Sequence, residues 1–207
     1  TYKREPSFTI AVACDTAFNF VYEANIRYLH HLGEVTYFSP LADTSLPDAG
    51  FVYLPGGYPE LYLAALSANR QMLQSIRRYV ESGGKLLAEC GGMTYLCDEI
   101  RDKNGYVYPM AGVLHQSATM ENMKLRLGYR TLLYNETRLK GHEFHYSRLV
   151  EQQNPLPSCA VAYTAKGVET DTPLYHYKNV WAGYTHLYWA DPVGNEWFTK
   201  FVIDGNI

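Results

Sequence analysis

Two short apolar runs each lead straight into a pair of glycines, and no other feature constrains the fold of this chain as much. Phe51-Val52-Tyr53-Leu54 enters Pro55-Gly56-Gly57, and Lys85-Leu86-Leu87-Ala88-Glu89 enters Cys90-Gly91-Gly92. A short apolar run without alternation reads as a strand buried on both faces. A glycine pair after it admits backbone conformations and close approaches that side chains forbid. Between the two runs, Leu66, Leu73, Ile76 and Val80 keep helical spacing until Gly83-Gly84, and Pro59 suits a first helical turn. Residues 8–14 predict another buried strand and residues 35–38 one more. Residues 19–32 predict a helix with Tyr22, Ile26, Leu29 and Leu32 on one side and Gly33 as its stop. A further helix is predicted over residues 93–100.

This alternation is that of a doubly wound, mostly parallel α/β sheet, in which function gathers at the carboxyl ends of the strands. Both glycine pairs lie at such ends. Beyond residue 105 the helical signal fades, and residues 127–134, 143–146 and 161–164 predict strands of an added antiparallel portion. Residues 179–187 return to the main sheet, and residues 194–203 close the chain as a helix. A chain of 207 residues with 47% hydrophobic composition supports one core and one domain. The start, Thr1-Tyr2-Lys3-Arg4-Glu5-Pro6, has no Met and reads as linker, which predicts a domain excised from a longer chain.

The chemistry concentrates at Ala88-Glu89-Cys90-Gly91-Gly92. A nucleophile between a buried strand and a helix, with small neighbours, matches an elbow that exposes the reactive atom above the sheet. The start of a helix there favours thiolate over thiol and offers unpaired N–H groups to a developing oxyanion. Backbone N–H groups of Gly57 and Gly91 are the candidates for that hole. Of the seven histidines, His186 follows a strongly apolar strand and is the candidate proton-transfer partner, with His145 as rival. Cys14, Cys97 and Cys159 read as packing residues.

Other classes are excluded. The net charge of -3 gives no case for nucleic acid. No Gly-x-x-x-x-Gly-Lys-[Ser/Thr] loop occurs, so ATP is not bound by that route. His142 and His145, three apart on a strand, face opposite ways, and His-Glu-x-x-His is absent, so no metal is expected. Four scattered cysteines suit a reducing cytoplasm, and no apolar stretch approaches the roughly 20 residues of a membrane helix.

Five motifs in order, Asp15-Thr16-Ala17-Phe18-Asn19-Phe20, Phe38-Ser39-Pro40-Leu41, Gly56-Gly57-Tyr58-Pro59-Glu60, Ala88-Glu89-Cys90-Gly91-Gly92 and Gly141-His142-Glu143-Phe144-His145-Tyr146-Ser147, resemble the glutaminase domains of cobyrinic acid a,c-diamide synthases. The resemblance spans nearly the whole chain. It implies a class I glutamine amidotransferase fold, flavodoxin-like, of the cobyrinate and cobyric acid synthase type. It implies Cys90 as nucleophile and His186 as its activating histidine, with Glu143 and His145 in a signature near the substrate. His186-Leu187-Tyr188 stands where other amidotransferases carry His-Pro-Glu, so the third acid is not at that position. Arg126 is the candidate to grip the carboxylate of glutamine in two-point fashion.

The resemblance also implies partners: glutamine, and an N-terminal synthetase domain of the same protein that uses ATP and magnesium and binds the corrinoid acceptor. This domain itself is expected to hold no cofactor. The alternatives are the same domain serving a nickel-sirohydrochlorin or cobyric acid amidase, or a non-catalytic thiol-sensing module built on Cys90.

Overall fold

The computed structural model describes residues 8–205, so the linker-like residues 1–6 lie outside it. Its centre is a six-stranded sheet in the order Leu174–Tyr177, Val180–Gly183, Lys85–Glu89, Phe51–Leu54, Thr9–Ala13, Glu34–Phe38. All neighbours are parallel except the first pair. Successive strand residues point to opposite faces, and here both faces are buried. Ala11, Ala13, Val52, Leu54, Leu86 and Ala88 enter one apolar cluster, while Ile10, Val12, Phe51, Tyr53 and Leu87 enter another. The doubly wound α/β sheet expected of the sequence is therefore the core.

The antiparallel portion is a five-stranded sheet, Glu169–Thr170, Val161–Thr164, Arg126–Tyr134, Thr137–His145 and His186–Leu187 in order. Four further strands, Arg148–Leu149, Leu114–Thr119, Cys97–Arg101 and Val107–Pro109, form a third sheet.

Several elements differ from their sequence expectation, each for a tertiary reason. The helix expected over residues 19–32 spans only Glu23–Leu32, because Phe18–Phe20 is a short strand paired with Gly56–Gly57. Asp15 sets this turn: its Oδ1 accepts from the N–H groups of Ala17 and Phe18 at 2.8 and 3.1 Å. The helical pattern of residues 59–81 is broken into a 3-10 turn Pro59–Leu61 and helices Leu63–Ala68 and Arg70–Glu81. Asn69 breaks it, donating from Nδ2 to the carbonyls of Pro40 and Asp43 while capping the second helix.

The helix expected over residues 93–100 ends at Leu96, and Cys97–Arg101 is a strand beside Leu114–Thr119. Cys97 and Ile100 are buried there although they stand three apart, and a register shift between Cys97 and Glu99 accommodates this within the strand. Residues 179–187 are also divided. Val180–Gly183 lies in the main sheet, but His186–Leu187 crosses to pair with Gly141 and His142. The closing helix is Pro192–Trp197, capped by Asp191, followed by a π turn over Phe198–Ile203. Among the described residues no helix is long and apolar enough to cross a membrane.

Candidate active site

Cys90 sits at the carboxyl end of the strand Lys85–Glu89, with φ +51° and ψ −109°. That conformation is unusual for a residue with a Cβ and costs on the order of 1–3 kcal/mol, which the surroundings must hold in place. They do so by hydrogen bonds: the N–H of Cys90 donates to Gly183 at 2.7 Å, and its carbonyl accepts from Thr94 at 3.0 Å, opening the helix Gly91–Leu96. Gly92 is required because a Cβ there would stand 2.1 Å from the carbonyl oxygen of Leu54. Strand, strained nucleophile position and helix thus form the elbow that the glycine pair predicted.

His186 arrives from the neighbouring strand Val180–Gly183 by way of Tyr184 and Thr185. Cys90, His186, His142, Gly57 and the rings of Phe20, Tyr58 and Phe144 line one cavity of about 190 Å³. Cys90 and His186 are each 5% exposed. A Cβ on Gly56 would meet Cε1 of His186 at 2.2 Å, so the first glycine pair makes room for the imidazole. Gly57 and Gly91 border, together with Cys90, Thr94 and Glu60, a niche of about 10 Å³, room for about one water molecule.

The electrostatics correct one expectation. Burial pushes the Cys90 thiol well above its usual value, the Glu60 carboxylate pushes the same way, and the hydrogen bond from Gly91 N–H only partly opposes them. The start of the short helix does not yield a resting thiolate. Burial, then the repulsion that a second charged ring would meet beside His142 and His145, hold the His186 imidazole down at about 3. The pair therefore rests as thiol and neutral imidazole.

Behind the niche lies a buried polar cluster. Glu143 has no exposed surface and accepts from Arg130 Nε at 2.5 Å, His145 Nε2 at 2.7 Å and Thr172 Oγ1 at 2.8 Å. Burial alone would raise its carboxyl, but hydrogen bonds from His145 and Thr172, with the charges of His145 and Arg130, hold it at about 2. The His145 ring also engages the Ser147 carbonyl through Nδ1 at 2.7 Å and stacks on Tyr184 with centroids 3.6 Å apart. His145 borders the niche, whereas Glu143 reaches it only through His145.

Arg126 is not brought to the Cys90 cavity. Its guanidinium donates to Asp171 and lines a separate cavity of about 510 Å³ with Lys124, Arg148 and Tyr184.

Two residues of the site escaped the sequence reading. Glu89, 1% exposed, accepts from the hydroxyl of Tyr53 at 2.5 Å and from the N–H of Leu187. Its signal was a carboxylate inside an apolar strand. His142 stacks on His186 with centroids 4.9 Å apart and planes within 12°. Only its place in the Gly-His-Glu-Phe-His run hinted at this.

Residues 9–193 match the CobB/CobQ-like glutamine amidotransferase domain. The chain belongs to that family. A hydrogenobyrinate a,c-diamide synthase of Pseudomonas aeruginosa is 40% identical over 185 residues, which cover 86% of this chain and 41% of that protein. A cobyrinate a,c-diamide synthase of Fusobacterium nucleatum is 39% identical over 188 residues, covering 86% and 41%. The chain thus spans about two fifths of the length of these curated relatives. Among solved structures, one described as a glutamine amidotransferase superposes with a TM-score of 0.59 at 18% identity, over 93% of this chain and 98% of that one. PurLQS from Thermotoga maritima gives 0.58 at 17% identity, over 87% of each. These likenesses establish the class I amidotransferase-like fold that the sequence motifs implied.

Proposed function

We propose that this amidotransferase domain hydrolyses glutamine through Cys90 and His186, and that the ammonia serves amidation of the a and c carboxylates of a corrinoid such as cobyrinate. The observation that carries the reading is Cys90 in its strained elbow, in one cavity with His186.

Glutamine enters the cavity and places its side-chain amide carbon against Cys90 Sγ. His186, neutral at rest, takes the thiol proton as sulfur attacks, and the amide oxygen becomes an oxyanion in the niche bordered by Gly57 and Gly91. A backbone donor at such a position is worth about 3 kcal/mol in the transition state. The imidazolium returns its proton to the nitrogen, and ammonia leaves from a glutamyl thioester. Water then gives a proton to the same imidazole, attacks the thioester and releases glutamate with the thiol restored. His145 forms part of the wall of the niche, and Glu143 holds it there by accepting from its Nε2. Arg126, held by Asp171 in the adjoining cavity, would have to exchange that partner to reach the substrate carboxylate.

Relatives of more than twice this length support a further portion of the same protein; in our reading that portion lies N-terminal to this domain, uses ATP and magnesium and binds the acceptor. This chain carries no Gly-x-x-x-x-Gly-Lys-[Ser/Thr] phosphate loop. Relatives named for both cobyrinate and hydrogenobyrinate are similar to this chain at nearly equal identity, so assays of the full-length protein with each macrocycle decide the acceptor.

Cys90→Ala tests the chemistry. Glutaminase activity is lost while amidation driven by added ammonia survives in the full-length protein, and a fully active variant overturns the assignment. Labelling of Cys90 by a glutamine analogue, suppressed by glutamine, separates this reading from a sensor thiol, whose labelling would ignore glutamine.

A further inference from the structure

A triad amidotransferase orients its histidine with a carboxylate, and the sequence motif after His186 lacks one. The structure supplies no substitute of that kind: among the described residues no carboxylate hydrogen-bonds the His186 ring. Glu89 is committed to Tyr53 and the Leu187 N–H, and Glu143 to Arg130, His145 and Thr172. Yet an imidazole with two free side-chain torsions cannot serve one sulfur atom unless something fixes its plane.

What meets the ring is a second imidazole. His142 and His186 are direct partners on antiparallel strands, so their side chains rise side by side from one face of the sheet. The rings stack with centroids 4.9 Å apart and planes 12° from parallel. His142 is itself anchored, because its Nδ1 shares a hydrogen bond with the hydroxyl of Tyr22. Tyr22 in turn packs edge-on against Tyr188 at 5.5 Å. Phe20 sets its ring edge-on to both imidazoles, at 5.3 Å from His142 and 4.7 Å from His186. Two rings carrying positive charge would repel in such a stack. Burial lowers the affinity of His142 for a proton, in keeping with a neutral pair.

We infer that His142 is the positioning residue of this site: anchored by Tyr22, it holds the His186 imidazole in the plane that serves Cys90, the task a triad carboxylate performs elsewhere. This rests on the glutaminase reading above. The contact is ring against ring, so an aromatic ring without nitrogens should serve nearly as well, whereas a small side chain should not.

The test compares His142→Ala, His142→Phe and Tyr22→Phe in the full-length protein by glutaminase kcat and KM and by thermal unfolding, with wild type and Cys90→Ala alongside. His142→Ala is expected to lower kcat by about 10- to 100-fold, the cost of a misplaced catalytic group, with KM within about twofold. His142→Phe should recover most of that loss, and Tyr22→Phe should cause a smaller loss in kcat with an unchanged Tm. Full kcat in His142→Ala overturns the inference, as does a change confined to KM, which would make His142 a substrate contact. A His142→Phe variant as impaired as His142→Ala overturns it too, since the nitrogens and not the stack would then matter. Should His142→Ala not fold, Tyr22→Phe decides: an unaltered kcat ends the proposal. If wild type has no glutaminase activity, or Cys90→Ala retains it, the underlying reading fails instead, and the two failures are distinct.

Discussion

The carboxylate of Glu89, the residue before Cys90, accepts a hydrogen bond from the backbone N–H of Leu187, the residue after His186. One buried side chain thus ties the strand that carries the nucleophile to the short strand that carries the imidazole. The same carboxylate takes the hydroxyl of Tyr53 at 2.5 Å, so Glu89→Ala leaves two buried donors without acceptors. Each such donor costs about 1–3 kcal/mol. Denaturant unfolding should show a loss in that range or up to twice it, and a loss of kcat should accompany it as His186 drifts from Cys90.

Glu89 also predicts a pH dependence. Burial raises its carboxyl from 4.5 to about 7, against opposing hydrogen bonds from Tyr53 and Leu187. Between those values the folded chain binds the proton and the unfolded chain does not, so the Glu89 contribution to stability declines as pH rises from 4.5 to 7 and is constant above. Glu89→Gln should remove that component. Unfolding free energies measured from pH 5 to 8 on both proteins check it, and parallel curves would refute it.

Glu143 has the opposite sign. Its folded carboxyl is held at about 2 against 4.5 unfolded, so its contribution is complete above 4.5 and disappears as pH falls through 2. Glu143→Gln leaves the guanidinium of Arg130 buried without its counter-charge, and breaking a buried pair costs about 3–5 kcal/mol. A Tm lowered by roughly 10 °C is expected for a domain of this size, and an unchanged Tm would contradict the role assigned to this pair.

Two glycine substitutions should separate site from fold. A Cβ at Gly56 meets the Cε1 atom of the His186 ring at 2.2 Å, and the ring can turn away, so Gly56→Ala should lower kcat by up to about 100-fold while the chain stays folded. A Cβ at Gly92 meets the Leu54 carbonyl at 2.1 Å, and backbone in a central strand cannot move. Gly92→Ala should therefore compromise folding itself. Circular dichroism and glutaminase assays on the two variants measure the contrast.

Cys90 should be slow to alkylate at neutral pH. It is 5% exposed and rests as a thiol, whereas Cys14 is exposed, so iodoacetamide at pH 7 should modify Cys14 first. Mass spectrometry of the two peptides over time reads the order. A rate at Cys90 that is high and flat below pH 7 would indicate a thiolate–imidazolium pair at rest and contradict the electrostatics of the site.

The strand–elbow–helix at Cys90 and the buried strands around it were legible because they depend on local sterics and two-residue periodicity, which neighbouring residues encode. Gly56-Gly57 and Cys90-Gly91-Gly92 announce close approach wherever they occur at strand ends. By contrast, Cys97–Arg101 carries a pattern compatible with helix or strand, and only pairing with Leu114–Thr119 resolves it. Asn69 breaks the helical pattern around it through contacts 29 and 26 residues away in sequence, at Pro40 and Asp43.

From its residues alone, the chain determines a doubly wound sheet, a nucleophile elbow and the family to which both belong. Tertiary structure decides who serves that nucleophile. His142 and Glu89 acquire their places only when residues 18–22, 85–90, 137–145 and 186–187 converge, and Arg126 is drawn to Asp171 in the same way. Contacts between segments so far apart in sequence depend on which strands pair and in which register, and no local period of side chains encodes that.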